Sequence, residues 1–298
     1  MPEPDTPTQN LTIRAAIAHF TRQLTSAGVP DAASDVRRLL AETLALSPAA
    51  LLASPERALT HDEHARVAAN MARRANREPV ARILGMREFY GRPFAISPAV
   101  LDPRPDTETL ITAALEIVAA EGWQQTPLRI LDVGTGSGCL LVTLLCELPH
   151  ATGIGTDVST AALEIAHANA ARHGVAGRAK FVEADALEIQ SGPVHLLVTN
   201  PPYVRTSEIV TLDPEVRAHD PMLALDGGAD GLDIYRRLAP RIGAAVPDGW
   251  FICEVGYDQA SEVAGLLGAE LGREQAPQIS IYPDLAGRNR CVAVRTRA

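Results

Sequence analysis

Arg129-Ile130-Leu131-Asp132-Val133-Gly134-Thr135-Gly136-Ser137-Gly138 is the stretch that decides the fold. Its first five residues form a short run rich in apolar and β-branched side chains, the pattern of a buried strand. Glycines at every second position follow, and Cys139-Leu140-Leu141-Val142 then opens a helical run. Strand, glycine bend and helix in that order predict the first unit of a doubly wound sheet. The glycines leave no side chain where the backbone must turn tightly and come close to a ligand. The spacing is not the dinucleotide fingerprint, because Cys139 stands where its third glycine belongs. The Lys-Ser/Thr pair of a phosphate loop is also absent. Phosphate cradling is therefore disfavoured.

Toward the C-terminus the alternation continues. Strands are expected at 129–133, 153–157, 180–183, 194–199, 250–255, 278–282 and 291–295, with helices at 138–147, 159–173, 232–245 and 258–271. The class is α/β: a Rossmann-like, doubly wound, seven-stranded sheet with helices on both faces. Ligands of such sheets sit at the carboxyl ends of the strands. Asp157 ends the second strand, where a carboxylate accepts hydrogen bonds from ribose hydroxyls. Asp185 follows the third and is placed to meet an adenine edge. Asn200 follows the fourth, inside Val198-Thr199-Asn200-Pro201-Pro202-Tyr203. The two prolines lock the backbone, so the direction of the Asn200 carboxamide is set in advance. A carboxamide carries both donor and acceptor atoms, and Tyr203 adds an aromatic face. Singly, each of these residues could be a helix cap; Asp157 precedes Ser159 and Thr160, which are good caps themselves. Together they describe a nucleoside site without a phosphate clamp, which suits S-adenosylmethionine better than NAD or ATP. The elbow suits a planar nitrogen bearing hydrogens.

Upstream, 11–84 reads as a small all-helical domain. Thr12 caps a first helix, Asp31 starts a second, Pro48 a short third and Thr60 a longer fourth. At 85–101, Phe89, Tyr90, Phe94 and Ile96 flank Gly91-Arg92-Pro93, which predicts a β-hairpin joining the two modules. The sheet domain then takes 102–298. Residues 1–10 are acidic and proline-rich, lack the order of a secretory signal or transit peptide, and are expected to be disordered.

The chain has 298 residues, 46% of them apolar, and a formal net charge of −9. That composition suits a globular protein with a real core and argues against a general duplex-binding protein, whose footprint is basic. No apolar run is long enough to cross a membrane. Eight arginines between Arg66 and Arg104 face three acids. A solvated helix face is the favoured reading, with a patch for an acidic partner or RNA as the other. Cys139, Cys146, Cys253 and Cys291 show no CxxC spacing and are expected as reduced thiols in the cytoplasm. His61 and His64 share a helical face but have no further ligands beside them, so no metal site is expected. No repeating apolar face suggests self-association, and a monomer is expected.

Taken together, the bend at 134–138, Asp157, Asp185 and Asn200-Pro201-Pro202-Tyr203 resemble the class I S-adenosylmethionine-dependent amino-methyltransferases. Glu78-Pro79-Val80, Leu84-Gly85, Phe89-Tyr90, Pro103-Arg104-Pro105-Asp106-Thr107-Glu108, Ala224-Leu225-Asp226-Gly227-Gly228 and Asp284-Leu285-Ala286-Gly287-Arg288 narrow the resemblance. They are similar to the bacterial release factor N5-glutamine methyltransferases from about residue 75 to the end. The resemblance implies methyl transfer to the side-chain nitrogen of the glutamine in the Gly-Gly-Gln tip of peptide chain release factors. It also implies a cofactor site of Gly134, Thr135, Gly136, Ser137, Gly138, Asp157, Asp185, Ala186 and Asn200. Asn200, Pro201, Pro202 and Tyr203 would hold the glutamine, with Asn200, Pro201 and Tyr203 at the chemistry. The helical domain would be its substrate-recognition module.

Three other readings stay open. An adenine-N6 methyltransferase of nucleic acid uses a similar elbow, but the acidic balance and lack of a target-recognition domain speak against stable nucleic-acid binding. A ribosomal-protein glutamine is a second possible target. A cofactor-binding docking scaffold is the non-enzymatic reading.

Overall fold

The computed structural model describes residues 11–185, 192–272 and 277–296. The expected disordered lead, 1–10, and Ala186 lie outside them. The chain divides into two compact units, Met1–Gly85 and Met86–Ala298.

In the first unit, helices α1 (Ile13–Ser26), α2 (Ala32–Thr43), α3 (Pro48–Ala53), α4 (His61–Ala75) and α5 (Val80–Leu84) follow one another. Three of these starts have a side-chain cap. The Thr12 side chain accepts from the Ala15 amide, and Ser47 does the same for Ala50 ahead of Pro48. At α4, Thr60 and Glu63 form a reciprocal capping box. Apolar residues at helical spacing, among them Phe20, Leu24, Leu39, Leu40, Val67 and Met71, meet in one core. A part-buried ion pair joins α2 and α4, Arg74 Nε donating to Asp35 Oδ2 at 2.7 Å. The five-residue α5 was not foreseen from sequence; Pro79 at its N-cap looks like a breaker when only local pattern is read.

The arginine-rich run is not simply a solvated face. Arg73 is paired with Glu78 and Arg74 with Asp35, while Arg77 donates to the Gly28 carbonyl. In the second unit Arg87 faces Asp102, Arg92 pairs with Glu147 and Arg104 with Asp220. Arg74 and Arg82 are buried, while Arg66 and Arg73 stay exposed, so the run is part solvated face and part internal ion pairing.

The second unit opens with a hairpin, β1 (Met86–Phe89) and β2 (Arg92–Ala95), followed by α6 (Glu108–Ala120). The sheet is made of β3 (Arg129–Val133), β4 (Thr152–Asp157), β5 (Ala179–Glu183), β6 (Leu196–Thr199), β7 (Gly249–Glu254), β8 (Gln278–Pro283) and β9 (Asn289–Thr296). The helices between are α7 (Cys139–Glu147), α8 (Thr160–Arg172), α9 (Pro214–His219), α10 (Asp233–Ala245) and α11 (Ala260–Leu271). Strand order is β5-β4-β3-β6-β7-β9-β8. The first five are parallel, and β9 runs antiparallel between β7 and β8.

Alternation along the strands explains why both faces are covered. Ile130, Leu196, Val198, Trp250 and Ile252 join the core under α6, α7 and α8. Leu131, Val133, Leu197, Phe251 and Cys253 point the other way, to α10 and α11. All four cysteines are free thiols. The hairpin belongs to this unit: Asn169 of α8 clamps Ala95 through both its amide atoms, and the Tyr90 amide donates to Glu108 at 2.9 Å. Strand order reverses between β3 and β6, which stay paired to Val133 and Thr199, so the chain leaves these two ends toward opposite faces of the sheet. That is where a doubly wound sheet holds its ligand.

Candidate active site

A cavity of about 560 Å³ opens at those strand ends. The residues after β3, β4, β5 and β6 all line it, so one site gathers four stretches far apart in sequence.

The wall after β3 is backbone. Gly134, Gly136 and Gly138 have φ of +70, +54 and +77°, the left-handed region that residues with a Cβ avoid. A Cβ on Gly138 would also sit 3.1 Å from that of Ala166, so this glycine lets α7 start close against α8. The bend is tied to β4 by the Thr135 amide donating to the Thr156 carbonyl at 2.8 Å. Asp157 completes the tie. Its Oδ2 accepts from the Gly136 amide at 2.9 Å and its Oδ1 from the Ser159 amide at 3.0 Å. Asp132 lies beneath, fully buried, with Oδ2 accepting from the Thr135 hydroxyl at 2.6 Å. Its Oδ1 has no hydrogen-bond partner among the described residues. Burial, with the Asp157 charge adding a smaller push, raises the Asp132 carboxyl to about 7.

Asp185, after β5, also lines the cavity, but its carboxylate is engaged. Arg237 of α10 reaches both its oxygens, at 3.2 and 3.1 Å.

The elbow after β6 is anchored to the bend: the Thr199 hydroxyl donates to the Val133 carbonyl at 2.8 Å. Asn200, Pro201 and Pro202 line the cavity. Loop 224–228 supports them from behind. The Gly227 amide donates to the Val204 carbonyl, and a Cβ on Gly227 would lie 2.7 Å from the Pro202 carbonyl oxygen. The Asn200 Nδ2 donates to Thr107 Oγ1 at 3.2 Å, while its Oδ1 takes no hydrogen bond from a described residue. Tyr203 is placed differently from its neighbours. Its ring packs with the α10–α11 core and its hydroxyl donates to Glu254 Oε1 at 3.0 Å. Burial, followed by the nearby Glu254 charge, raises the phenol above its ordinary value.

Sequence reading passed over Thr107, Glu254 and Arg237. A usable signal exists for Glu254: it ends β7, the strand next to β6, after a run of apolar residues. Thr107 sits in the run 102–108, whose members fasten the site's rim. Arg104 pairs with Asp220 at 2.5 Å, Asp106 with Arg290 at 2.9 Å, and Glu108 holds the Tyr90 amide. The arrangement offers a pocket whose bend side presents open backbone and a carboxylate, and whose elbow side presents the Asn200 carboxamide beside two prolines. Such a pocket can hold a nucleoside at one end and a planar N–H group at the other.

Comparison with known proteins agrees in scope. Residues 15–85 match the family model described as the PrmC N-terminal domain, and residues 115–214 the methyltransferase small domain. A release factor glutamine methyltransferase of Bradyrhizobium diazoefficiens is 45% identical over 296 residues, covering 99% of this chain and 98% of its own. The one from Rhodospirillum rubrum is 44% identical over 277 residues, 93% of this chain and 82% of its own. Among solved structures, the human methyltransferase 10 domain containing protein shares the fold. Its TM-score is 0.50 at 16% identity, over 71% of this chain and 92% of that one.

Proposed function

The chain belongs to the release factor glutamine methyltransferase family, and from that premise we propose the reaction and the residues that carry it. The protein transfers a methyl group from S-adenosylmethionine to the side-chain nitrogen of the glutamine in the Gly-Gly-Gln motif of peptide chain release factors, in the cytoplasm. The observation that carries this reading is the meeting of the glycine bend, Asp157 and Asn200-Pro201-Pro202 around one cavity.

The residues fit the cofactor. A Cβ on Gly134 or Gly136 would meet nothing within 4 Å, so those positions leave room beside the bend. Each Asp157 oxygen accepts one amide and keeps a lone pair for a ribose hydroxyl. Among the described lining residues Arg237 is the one cation, and it is paired with Asp185, so no phosphate clamp is present. The volume falls within the ~300–1,000 Å³ of ligand pockets. Bend residues 134–138, Asp157 and Asp185 would hold the cofactor. Bound there, it supplies an electrophilic methyl group on a sulfonium.

The protein's own task is to make an amide nitrogen reactive. That nitrogen is a poor nucleophile because its lone pair is delocalised into the carbonyl, as in the peptide bond. Asn200 Oδ1 and the Pro201 carbonyl accept its two N–H bonds and hold the lone pair facing the cofactor side. Proximity of this kind supplies up to ~7–11 kcal/mol in ideal systems. Tyr203 supports the elbow from the core side through Glu254. The helical unit serves as the substrate-recognition module.

The test is single-turnover methylation of purified release factor with labelled cofactor. Asn200→Ala should slow it by at least ~10²-fold, the loss typical of one preorganised polar contact. A parent-like rate would remove Asn200 from the chemistry.

A further inference from the structure

A purine is a flat group, and a site that grips one offers it a flat surface, an aromatic ring or a guanidinium plane. Among the described residues that line the cavity there is no phenylalanine, tyrosine, tryptophan or histidine. Tyr203, at the end of the elbow, packs with the α10–α11 core instead. Residues 186–191 read Ala-Leu-Glu-Ile-Gln-Ser and bring no ring either. The base must find its surface elsewhere.

The sheet says where the base would lie. Asp157, the proposed ribose acceptor, ends β4, and its backbone carbonyl accepts from the Ala184 amide at 3.0 Å. Asp185 therefore stands next to the ribose end of the cavity. In the order β5-β4-β3-β6, Asp185 follows β5 and Asn200 follows β6, at opposite ends of one row of strands. With methyl transfer at Asn200, the base belongs at Asp185. Arg237 of α10 meets Asp185 there, its Nη2 reaching both carboxylate oxygens at 3.2 and 3.1 Å. Both residues line the cavity. A guanidinium is planar and delocalised, and it stacks on flat rings. A lone guanidinium would repel a sulfonium cofactor, but paired with Asp185 it adds no net charge.

We propose that the Arg237 guanidinium is the surface on which the adenine of the cofactor lies, and that Asp185 is the positioning residue that pins it. Asp185 then grips Arg237 rather than the edge of the base. The proposal rests on the cofactor reading given above and adds to it the residue that takes the base. The pair is 42% and 45% exposed, and ion pairs so open to water do little for stability. Its use is to fix the direction of a long side chain.

Calorimetry of the full chain with S-adenosylhomocysteine, the reaction product, tests this without turnover. Arg237→Met keeps the stem and loses the plane; Arg237→Lys keeps the charge and loses the plane. Arg237→Met should bind ~10–10²-fold more weakly, the loss of a stacking partner for a base. Arg237→Lys should stay within about threefold of Arg237→Met, because a point charge does not replace a plane. Asp185→Ala should weaken binding by ~3–10-fold in the parent and by less than about twofold in the Arg237→Met background, the mark of two residues acting as one unit. S-ribosylhomocysteine, which lacks the base, should compete equally well for the parent and for Arg237→Met. Parent-like affinity for S-adenosylhomocysteine in either Arg237 variant would overturn the proposal. Additive losses for Asp185→Ala and Arg237→Met would overturn it too, because Asp185 would then act on its own. So would an equal loss for the ligand without a base, which would show a change of pocket shape. A parent chain that does not bind S-adenosylhomocysteine would take down the cofactor site and this proposal with it; a parent that binds, with Arg237 variants that match it, takes down the proposal alone.

Discussion

The glycine bend and the proline elbow face each other across one cavity and are built by opposite means. The bend works by omission: three glycines in left-handed conformations, with one carboxylate holding the Gly136 amide on one oxygen and the Ser159 amide on the other. The elbow works by constraint. Two prolines set the backbone, Thr107 meets the side chain that matters, and Tyr203, bonded to Glu254, ties the end of the turn to the core. A wall made of backbone tolerates few substitutions but needs little support. A wall made of one carboxamide depends on whatever holds that carboxamide. The difference predicts that damage to the bend is read in cofactor affinity or stability, and damage to the elbow in rate.

The largest effect expected is the loss of at least ~10²-fold in methyl transfer for Asn200→Ala, with cofactor affinity nearly unchanged. A large loss of affinity in that variant would break the division. Next is Asp157→Ala. It removes the carboxylate proposed to accept from ribose and releases the Gly136 and Ser159 amides. Hydrogen bonds to charged groups are worth ~1.5–3 kcal/mol, so calorimetry should find cofactor binding weaker by ~10–10²-fold. The single-turnover rate at saturating cofactor should stay close to the parent's. Gly138→Ala should cost ~1–2 kcal/mol for a left-handed residue with a Cβ, with a further cost from Ala166. Thermal melting would record this as a lower Tm, and an unchanged Tm would mean the α7–α8 approach can widen freely.

The smallest effect concerns Asp132. Its folded carboxyl is raised from 3.8 to about 7, so the native state keeps a proton that the unfolded chain has already lost. This contribution to stability is complete below the unfolded value and disappears as pH rises through about 7. Asp132→Asn should therefore show a smaller fall in Tm between pH 5 and pH 8 than the parent. An equal fall would assign the pH dependence to other buried carboxyls, Glu254 first among them.

Much of this was legible before any coordinates. The bend was readable because glycine at 134, 136 and 138 reports a backbone need directly. The sheet was readable because strands buried on both faces are unbroken apolar runs. The helical unit was readable from caps such as Thr60 with Glu63. Less was legible where a short element depends on its surroundings, as α5 and α9 do. Within 66–104 the solvated reading suits Arg66 and Arg73, but the pairing of Arg74, Arg92 and Arg104 is not legible locally, because their acids, Asp35, Glu147 and Asp220, are distant in sequence.

By itself the sequence determined the alternation of strand and helix, the bend, and the presence of an asparagine held by two prolines. Those follow from local preferences: where glycine is needed, where proline is allowed, how apolar residues repeat. Only the tertiary structure decided that Tyr203 turns to Glu254, that Arg237 takes hold of Asp185, and that Thr107 meets Asn200. Hydrogen bonds between side chains far apart along the chain are set by which strand ends the sheet brings together, and no local pattern carries that information.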